Sequence, residues 1–537
     1  MQSLTPMFTL TTLFAVLAAV QAVPAPRRAA AVVPLTLTLD NSSINFDVAQ
    51  TAEAAQPLDP QLISLSIEFG NAIDFFGDVG KPNEFSRKLL QNVVDRSGIP
   101  PVVRLGGNTQ DKWVYCDNCT AALSSIVEVN PNHPMSSEAV NVTVGKAFFQ
   151  ALEENVPPAT KFILGLNLGH NIYEIAQAEV DASLKYFNQS RILAYELGNE
   201  PNVYGGYPPV PARWRPSTWT VVDYAQQMLS WIPRLRARAK TNPPSFQFGS
   251  MIGPPTPFQD FSLTTLARMG VPQNIGGVKY FASHGYPENV CTKEASDQVQ
   301  LTNYVNHLET VGFVSQYQGE IAAAKSAGAI FHIGETNSVA CHGKDGVSNT
   351  LGALLWEIDY ALTAAAAGVD RLFFHSGVGG FYYAMWEPLP VNSTTPAHIN
   401  PTYYSMLFVA DLVADLSQPT ISRIVKLDTF DMAQYAIYEE NRLQKLVILN
   451  THYYNDTSET RPSKFVNVSS VLGPNIKFRR LTGSETTARS GVTWAGQSVD
   501  ASGNIVGRLI TEHASNGLIQ LLASEAVIVE RNGTSSS

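Results

Sequence analysis

The stretch Ala194-Tyr195-Glu196-Leu197-Gly198-Asn199-Glu200-Pro201 is a mostly apolar run that closes on glycine, amide and acid before a proline. A strand covered on both faces reads this way, because neither face requires alternating polar residues. Three runs of the same kind precede it, at Leu62–Gly70, Val102–Asn108 and Phe162–Gly169. Four follow, at Phe246–Gly253, Val278–Tyr286, Ala329–Asn337 and Arg371–Gly377. Helical patterns separate them: Glu84–Arg96 after Asn83 as N-cap, Val144–Glu154, Ile172–Phe187, and Trp219–Lys240 with a kink expected at Pro233. Leu263–Met269, Glu320–Ala327, Leu351–Ala367 and Thr402–Leu416 complete the set. Eight strand–helix units in succession predict an α/β chain folded as a (β/α)8 TIM barrel with insertions. A doubly wound open sheet would more often carry a glycine-rich phosphate loop after its first strand, and none is present.

Beyond residue 418 the pattern changes. Ala433–Glu439, Lys445–Asn450, Ile476–Leu481, Ile505–Ile510 and Ala526–Glu530 read as short strands between Gly, Asn and Pro, which predicts an antiparallel β-sandwich. Leu35–Phe46 also reads as a strand, has no place inside the barrel, and is assigned to the sandwich. The expected organisation is therefore a signal peptide at 1–22, a propeptide and sandwich strand within 23–58, the barrel at 59–417 and the C-terminal sandwich at 418–537.

A chain of 537 residues, 45% hydrophobic and 15% charged, is a globular protein with more than one core. Its net charge of −10 argues against nucleic acid or an anionic membrane as partner. The apolar run from Phe8 to Val20 is too short to span a bilayer and reads as a secretion signal cleaved after Ala22. Arg27-Arg28 suits a second, propeptide cleavage. Sequons at Asn41, Asn118, Asn141, Asn188, Asn392, Asn455, Asn467 and Asn532 fit an extracellular glycoprotein. The four cysteines can then form two disulfides, and Cys116 and Cys119 are close enough in sequence to join each other. A zinc half-site is the rival for that pair, but no second Cys/His pair completes it. No metal and no cofactor are expected.

At the C-terminal strand ends of such a barrel, side chains face the mouth. Glu200 closes the fourth predicted strand and Glu335, in His332-Ile333-Gly334-Glu335-Thr336-Asn337, closes the seventh. These ends lie across the mouth from each other. Glycoside hydrolysis with retention needs two carboxyl groups about 5 Å apart, one to protonate the leaving oxygen and one to attack the anomeric carbon. Glu200 is read as general acid/base and Glu335 as nucleophile, with Asn199 placed to reach the sugar 2-hydroxyl. Glu196, four residues before Glu200, points to the same face and lies deeper.

These residues resemble clan A glycosidases, and the chain more closely resembles glycoside hydrolase family 79, the fungal β-glucuronidase and heparanase group. The matching segments are Val103-Arg104-Leu105-Gly106-Gly107-Asn108-Thr109-Gln110-Asp111, Tyr195 to Asn202, Ser283-His284-Gly285-Tyr286, and Gly334-Glu335-Thr336-Asn337-Ser338. The resemblance spans barrel and sandwich, whose construction from both chain ends is also a family trait. It implies retaining exo-hydrolysis that releases β-linked glucuronic acid or its 4-O-methyl form. It implies too that tyrosine hydroxyls and backbone N–H groups hold the uronate carboxylate. Tyr286 matches the tyrosine after strand six; Tyr382 matches the one after strand eight, with Tyr383 as its rival. Where relatives carry a further tyrosine after the nucleophile, this chain has Ala340, followed by Cys341-His342-Gly343. Cys341 follows strand seven and Cys291 follows strand six, so a Cys291–Cys341 bridge would fix the wall beside Glu335.

Glu68, ending strand one, is a candidate for the sugar 4-hydroxyl, Asn108 for a contact from strand two, and His284 for orienting the nucleophile side or satisfying a strand end. Trp113, Trp214 and Trp386 either stack on sugar faces or pack. The expected protein is a secreted, monomeric β-glucuronidase acting on extracellular glycans or glucuronides, with no membrane or nucleic-acid partner. The alternatives are another clan A exo-glycosidase such as an arabinofuranosidase, an endo-acting heparanase-like enzyme, and a silent carbohydrate-binding protein. A sulfated polymer would favour runs of Lys and Arg that this acidic chain lacks, and a binding protein has no use for the paired glutamates.

Overall fold

Eight apolar segments form parallel strands that close on themselves: β1 Ile63–Glu68, β2 Val103–Gly106, β3 Phe162–Leu166, β4 Ile192–Leu197, β5 Phe246–Met251, β6 Val278–Gly285, β7 Ile330–Thr336 and β8 Arg371–Ser376. They pair in sequence order, and β8 pairs back onto β1. The computed structural model describes residues 43–52, 54–128, 138–206, 212–253, 260–455 and 459–532. The expected signal peptide, Arg27-Arg28, Asn41 and most of Leu35–Phe46 lie outside those residues. Among the described residues, no helix is long and apolar enough to cross a membrane.

Helices α1 Glu84–Ser97, α2 Lys146–Asn155, α3 Tyr173–Tyr186, α4 Val221–Arg236, α5 Leu263–Arg268, α6 His307–Ser315, α7 Gln318–Ser326, α8 Leu351–Ala367 and α9 Tyr403–Val413 wrap the barrel. Asn83 caps α1 by accepting from Ser86 N–H, and left-handed Gly98 ends it. Helix α4 stops at Arg236, one turn after Pro233, rather than running on to Lys240. The proline lacks the N–H that would bond the carbonyl of Leu229, yet the helix continues past it and Ala237 N–H still donates to Pro233 O at 3.1 Å.

Every residue of α8 from Leu351 to Ala365 is buried, because this helix lies between the barrel and the second domain. There a large antiparallel sheet runs through β9 Thr420–Arg423, β10 Met432–Glu439, β11 Arg442–Asn450 and, beyond the last strand of the chain, β13 Ile476–Thr482. A second sheet contains Ile44–Asn45, β12 Ser463–Asn467 and β14 Leu518–Leu522, and the chain's last strand, β15 Glu525–Arg531, sits between β11 and β13. Side chains of β10 alternate in destination. Met432, Ala436 and Tyr438 meet Phe46, Val466 and Ile519 in the sandwich core, while Ala433, Tyr435 and Ile437 join the core shared with the barrel. Burial on both faces explains why β10 is apolar or aromatic at every position but Gln434 and its last residue, Glu439.

The N-terminal segment does enter the sandwich, through Ile44–Asn45 pairing with β12. The expected strand at Ile505–Ile510 does not form. Only Ile505–Val506 is extended, in a small hairpin with Ser498–Val499, and Val506, Leu509 and Ile510 are exposed. The outer sandwich strand is β14, which sequence reading passed over.

Candidate active site

Both glutamates stand at strand ends, as their positions in β4 and β7 require. Glu200 lies just beyond β4 with a left-handed backbone, φ 54° and ψ 50°. That conformation costs a β-carbon residue on the order of 1 kcal/mol and persists where surroundings enforce it. Here Glu200 N–H donates to Ser250 O at 2.9 Å and Pro201 opens a 3-10 turn behind it. Glu335 sits within β7, paired with His284 of β6. Carboxylate oxygens of Glu200 and Glu335 and a ring nitrogen of His284 all lie within 4.8 Å of one another. The separation suits two carboxyl groups acting directly on one bond, and falls short of the roughly 6.5–9.5 Å that separates the pair in inverting enzymes.

A buried arginine organises the floor. Arg104 of β2 donates through Nη1 to Glu335 Oε2 at 2.8 Å and to Ser66 Oγ at 2.9 Å. Its Nε and Nη2 reach Glu196 Oε1 at 2.9 and 2.6 Å, and Nη2 also reaches Asn199 Oδ1 at 2.9 Å. Gln247 of β5 donates to Glu196 Oε2 at 2.5 Å and in turn meets His332 Nδ1 at 2.8 Å. The Gly106-Gly107 pair is the space these groups need. A β-carbon at Gly106 would fall 2.4 Å from Arg104 Cζ, and one at Gly107 2.5 Å from Glu68 Oε2.

The electrostatics separate the two glutamates. Burial alone would raise the Glu335 carboxyl, but the charges of His375, His284 and Arg104 outweigh it and pull it down to about 2. Tyr286 OH donates to its other oxygen at 2.8 Å. Glu200 moves the other way: burial pushes its carboxyl up, His284 opposes this, and the negative charge of Glu335 adds to it. One group is thus held as carboxylate and its neighbour favoured as acid, which is the division of labour double displacement requires.

The remaining expected residues fall in different places. Asn199 has its Oδ1 taken by Arg104 and its N–H held by Asp111 Oδ2 at 3.2 Å, which leaves its amide NH2 to offer a sugar hydroxyl. His284 Nδ1 lies 3.0 Å from Glu200 Oε1, so the histidine contacts Glu200 rather than serving the Glu335 side alone. Tyr286 is committed to Glu335. Of the rivals after β8, Tyr383 has the ring that joins the cluster, 6.1 Å from Tyr286, while half-buried Tyr382 contributes its N–H to His342 O at 2.7 Å. Glu68 is buried, accepts from Thr109 N–H at 2.8 Å and from the Thr109 hydroxyl, and lies 3.5 Å from His375 Nε2. Asn108 donates to Glu138 Oε1 at 3.0 Å.

Trp113 and Trp386 are packing residues. Trp113 is stacked on Phe69 with its N–H on Gly165 O, and Trp386 donates to Ser86. Trp214 is half-buried beside Arg213. Both disulfides, Cys116–Cys119 and Cys291–Cys341, are formed. Of the sequon asparagines, 118, 188, 392, 455 and 532 are exposed, and Asn141 and Asn467 are half-buried. Sequence reading did not assign roles to Arg104, His375, Gln247, His332, Asp111 or Glu138. A charged residue inside an otherwise apolar barrel strand, as Arg104 is, was the available signal.

Residues 434–528 match the glycosyl hydrolase family 79 C-terminal beta domain. A beta-glucuronidase of Aspergillus niger is 29% identical over 483 residues, covering 85% of this chain and 86% of the relative. One of Neurospora crassa is 26% identical over 498 residues, covering 85% and 87%. Among solved structures, a 4-O-alpha-L-rhamnosyl-beta-D-glucuronidase from Fusarium oxysporum superposes with TM-score 0.76 at 24% identity, over 91% of this chain and all of that one.

Proposed function

We propose that this chain, a glycoside hydrolase of the family 79 type, releases terminal β-linked glucuronic acid with retention of anomeric configuration. The reading is supported by beta-glucuronidase relatives that align along 85% of the chain. The single observation that carries the mechanism is the close pair of unlike carboxyls, Glu200 and Glu335, with oxygens within 4.8 Å. Glu335 attacks the anomeric carbon while Glu200 gives its proton to the departing oxygen. The glycosyl-enzyme is then hydrolysed by water that Glu200, now a base, deprotonates. Asn199 donates to the 2-hydroxyl, where contacts strengthen in the transition state. The sequons, the two disulfides and the apolar N-terminal run favour a protein working outside the cell on glycans or glucuronides.

The test compares 4-nitrophenyl β-D-glucuronide with 4-nitrophenyl α-L-arabinofuranoside and follows the first product by NMR. Turnover of the glucuronide alone, with the β-anomer appearing first, is expected. Release of the α-anomer first, or preference for the arabinofuranoside, would overturn the proposal.

A further inference from the structure

Asp111 is buried in the 3-10 turn Asn108–Lys112 that follows β2, and both its oxygens are taken. Oδ1 accepts from Leu168 and Gly169 N–H, just beyond β3, at 3.0 and 2.9 Å. Oδ2 accepts from Asn199 N–H, just beyond β4, at 3.2 Å and from the Tyr204 hydroxyl. Four donors use up the acceptor sites of an ionised carboxylate, so Asp111 has nothing left to offer a sugar. What it does is gather the ends of β2, β3 and β4, which are neighbours in the barrel, onto one side chain.

Tyr204 closes the arrangement. The 3-10 turn Pro201–Val203 carries the chain back, so that Tyr204 Oη lies 3.2 Å from Asn199 N and shares that N–H with Asp111. Burial and the charge of Asp111 raise the Tyr204 phenol well above its ordinary value, so the proton stays on the hydroxyl and is donated. Arg215 braces the same group from outside. Its guanidinium lies 5.3 Å over the Tyr204 ring and donates to Leu168 O at 2.9 Å and Gly169 O at 3.1 Å. Two glycines leave the room required. A β-carbon at Gly198 would fall 2.7 Å from Tyr204 Oη, and one at Gly169 would fall 2.7 Å from Asp111 Cβ.

The residue held by this clamp is Asn199, between left-handed Gly198 and Glu200, φ 85° and 54°. Arg104 fixes its side-chain Oδ1, and Asp111 with Tyr204 fixes its main chain. Glu200 has an anchor of its own, from its N–H to Ser250 O at 2.9 Å, so the clamp acts first on Asn199. We infer that Asp111 and Tyr204 are positioning residues that aim the Asn199 amide at the sugar 2-hydroxyl. A displacement on the order of 1 Å in such a contact can cost about 100-fold in rate. Without the Tyr204 hydroxyl, Asn199 N–H keeps one partner of two and the turn behind it is released. The inference rests on the glucuronide reading, in which Asn199 donates to the 2-hydroxyl, and adds to it what holds that donor in place.

The experiment measures kcat/KM for 4-nitrophenyl β-D-glucuronide and for its 2-deoxy counterpart in the wild type, Tyr204→Phe, Asp111→Asn and Asn199→Ala. Tyr204→Phe and Asp111→Asn are expected to lose about 30-fold or more on the glucuronide but no more than about threefold on the 2-deoxy substrate, which lacks the hydroxyl being served. Equal losses on both substrates, as a merely structural role would give, or no loss on the glucuronide, would overturn the inference. If Asp111→Asn yields no folded protein by thermal melting, Tyr204→Phe, which keeps the ring, decides alone. Asn199→Ala tests the contact itself. A selective loss there without one in Tyr204→Phe sinks the positioning role, whereas equal losses there sink the 2-hydroxyl contact and the inference with it. A wild type inert on the glucuronide would instead sink the glucuronide reading, so the failures are distinguishable.

Discussion

Two buried charge clusters in this molecule use the same side chains to opposite ends. At the seam between barrel and sandwich, His307 of α6 lies 2.8 Å from Asp359 Oδ1 of α8 and 3.3 Å from Asp428 Oδ1 at the edge of the sandwich. Tyr435 of β10 also bonds Asp359, and Arg423 meets Asp428 at 3.2 Å. Each charge there has an opposite partner, and the cluster joins two domains. At the mouth, Arg104, His284 and His375 face Glu68, Glu196, Glu200 and Glu335. Glu196 is held as a carboxylate despite its burial, because Arg104 sits against it. Glu335 is likewise kept charged, and Glu200 is left with a raised affinity for its proton. A closed set of pairs makes a staple; a set with one acid too many makes a reactive site.

The largest break in that contrast is Glu335→Gln. The amide keeps the shape and can still meet Tyr286 and Arg104, but it cannot attack a sugar. A fall in kcat/KM on the order of 10⁴-fold or more is expected, with the melting temperature nearly unchanged. Unchanged turnover would remove Glu335 from the mechanism.

Next in size is Glu200→Ala, whose effect should depend on the aglycone. Substrates with poor leaving groups need protonation and should lose on the order of 10²–10⁴-fold, while 4-nitrophenyl substrates lose less in the first step. The pH profile sharpens the assignment. Glu335 is protonated only near pH 2, so the acid limb lies far down. Glu200 has a raised pKa, and activity should fall as pH rises through it and the acid deprotonates. In Glu200→Ala that alkaline limb should vanish. Equal losses on good and poor leaving groups, with the limb intact, would argue against Glu200 as the acid.

These predictions rest on features that were legible to different degrees. The eight barrel strands could be read because burial on both faces makes them continuously apolar, and the two glutamates because they interrupt such runs at their C-terminal ends. Arg104 stood in a quoted motif, but its pairing with Glu196 joins β2 to β4 across β3 and exists only once the sheet curls shut. The same holds for Glu138, whose partners Lys112 and His342 follow β2 and β7, with β8 and β1 between them. In the sandwich, Ile505–Ile510 looked like a strand because it is apolar, yet most of it is exposed. Strand β14, Leu518-Ile519-Gln520-Leu521-Leu522, is at least as apolar as that segment and alternates in burial at Ile519, Gln520 and Leu521, so what makes it the strand is its pairing with β12, which composition does not encode.

Arg104→Met separates the structural share of the mouth cluster from its chemical share. Removing one partner leaves Glu196 buried and unpaired, which should destabilise by about 3–5 kcal/mol. Adding Glu196→Met should recover most of that stability, because the uncompensated charge is gone. Activity should not return, since Glu335 still lacks its guanidinium and its pKa moves up, shifting the acid limb to higher pH. Recovery of activity along with stability would show that Arg104 serves the fold alone.

The smallest expected effect is at the seam, and its sign differs from that of the mouth. Burial alone would lower the His307 pKa, but Asp359 and Asp428 outweigh it and raise it from 6.5 to about 9. A folded-state pKa above the unfolded one means that the protonated histidine stabilises the folded protein. That contribution is complete below about pH 6.5 and is lost as pH climbs through about 9. Thermal melts of the wild type should therefore show a loss of stability between those values that His307→Gln lacks, with the variant less stable at pH 6 and nearly equal above pH 9. Catalytic constants near the optimum should stay unchanged in the variant, because the seam touches neither glutamate. If wild type and variant melt in parallel across the whole range, the seam is held by packing around Tyr435 and α8 rather than by charge.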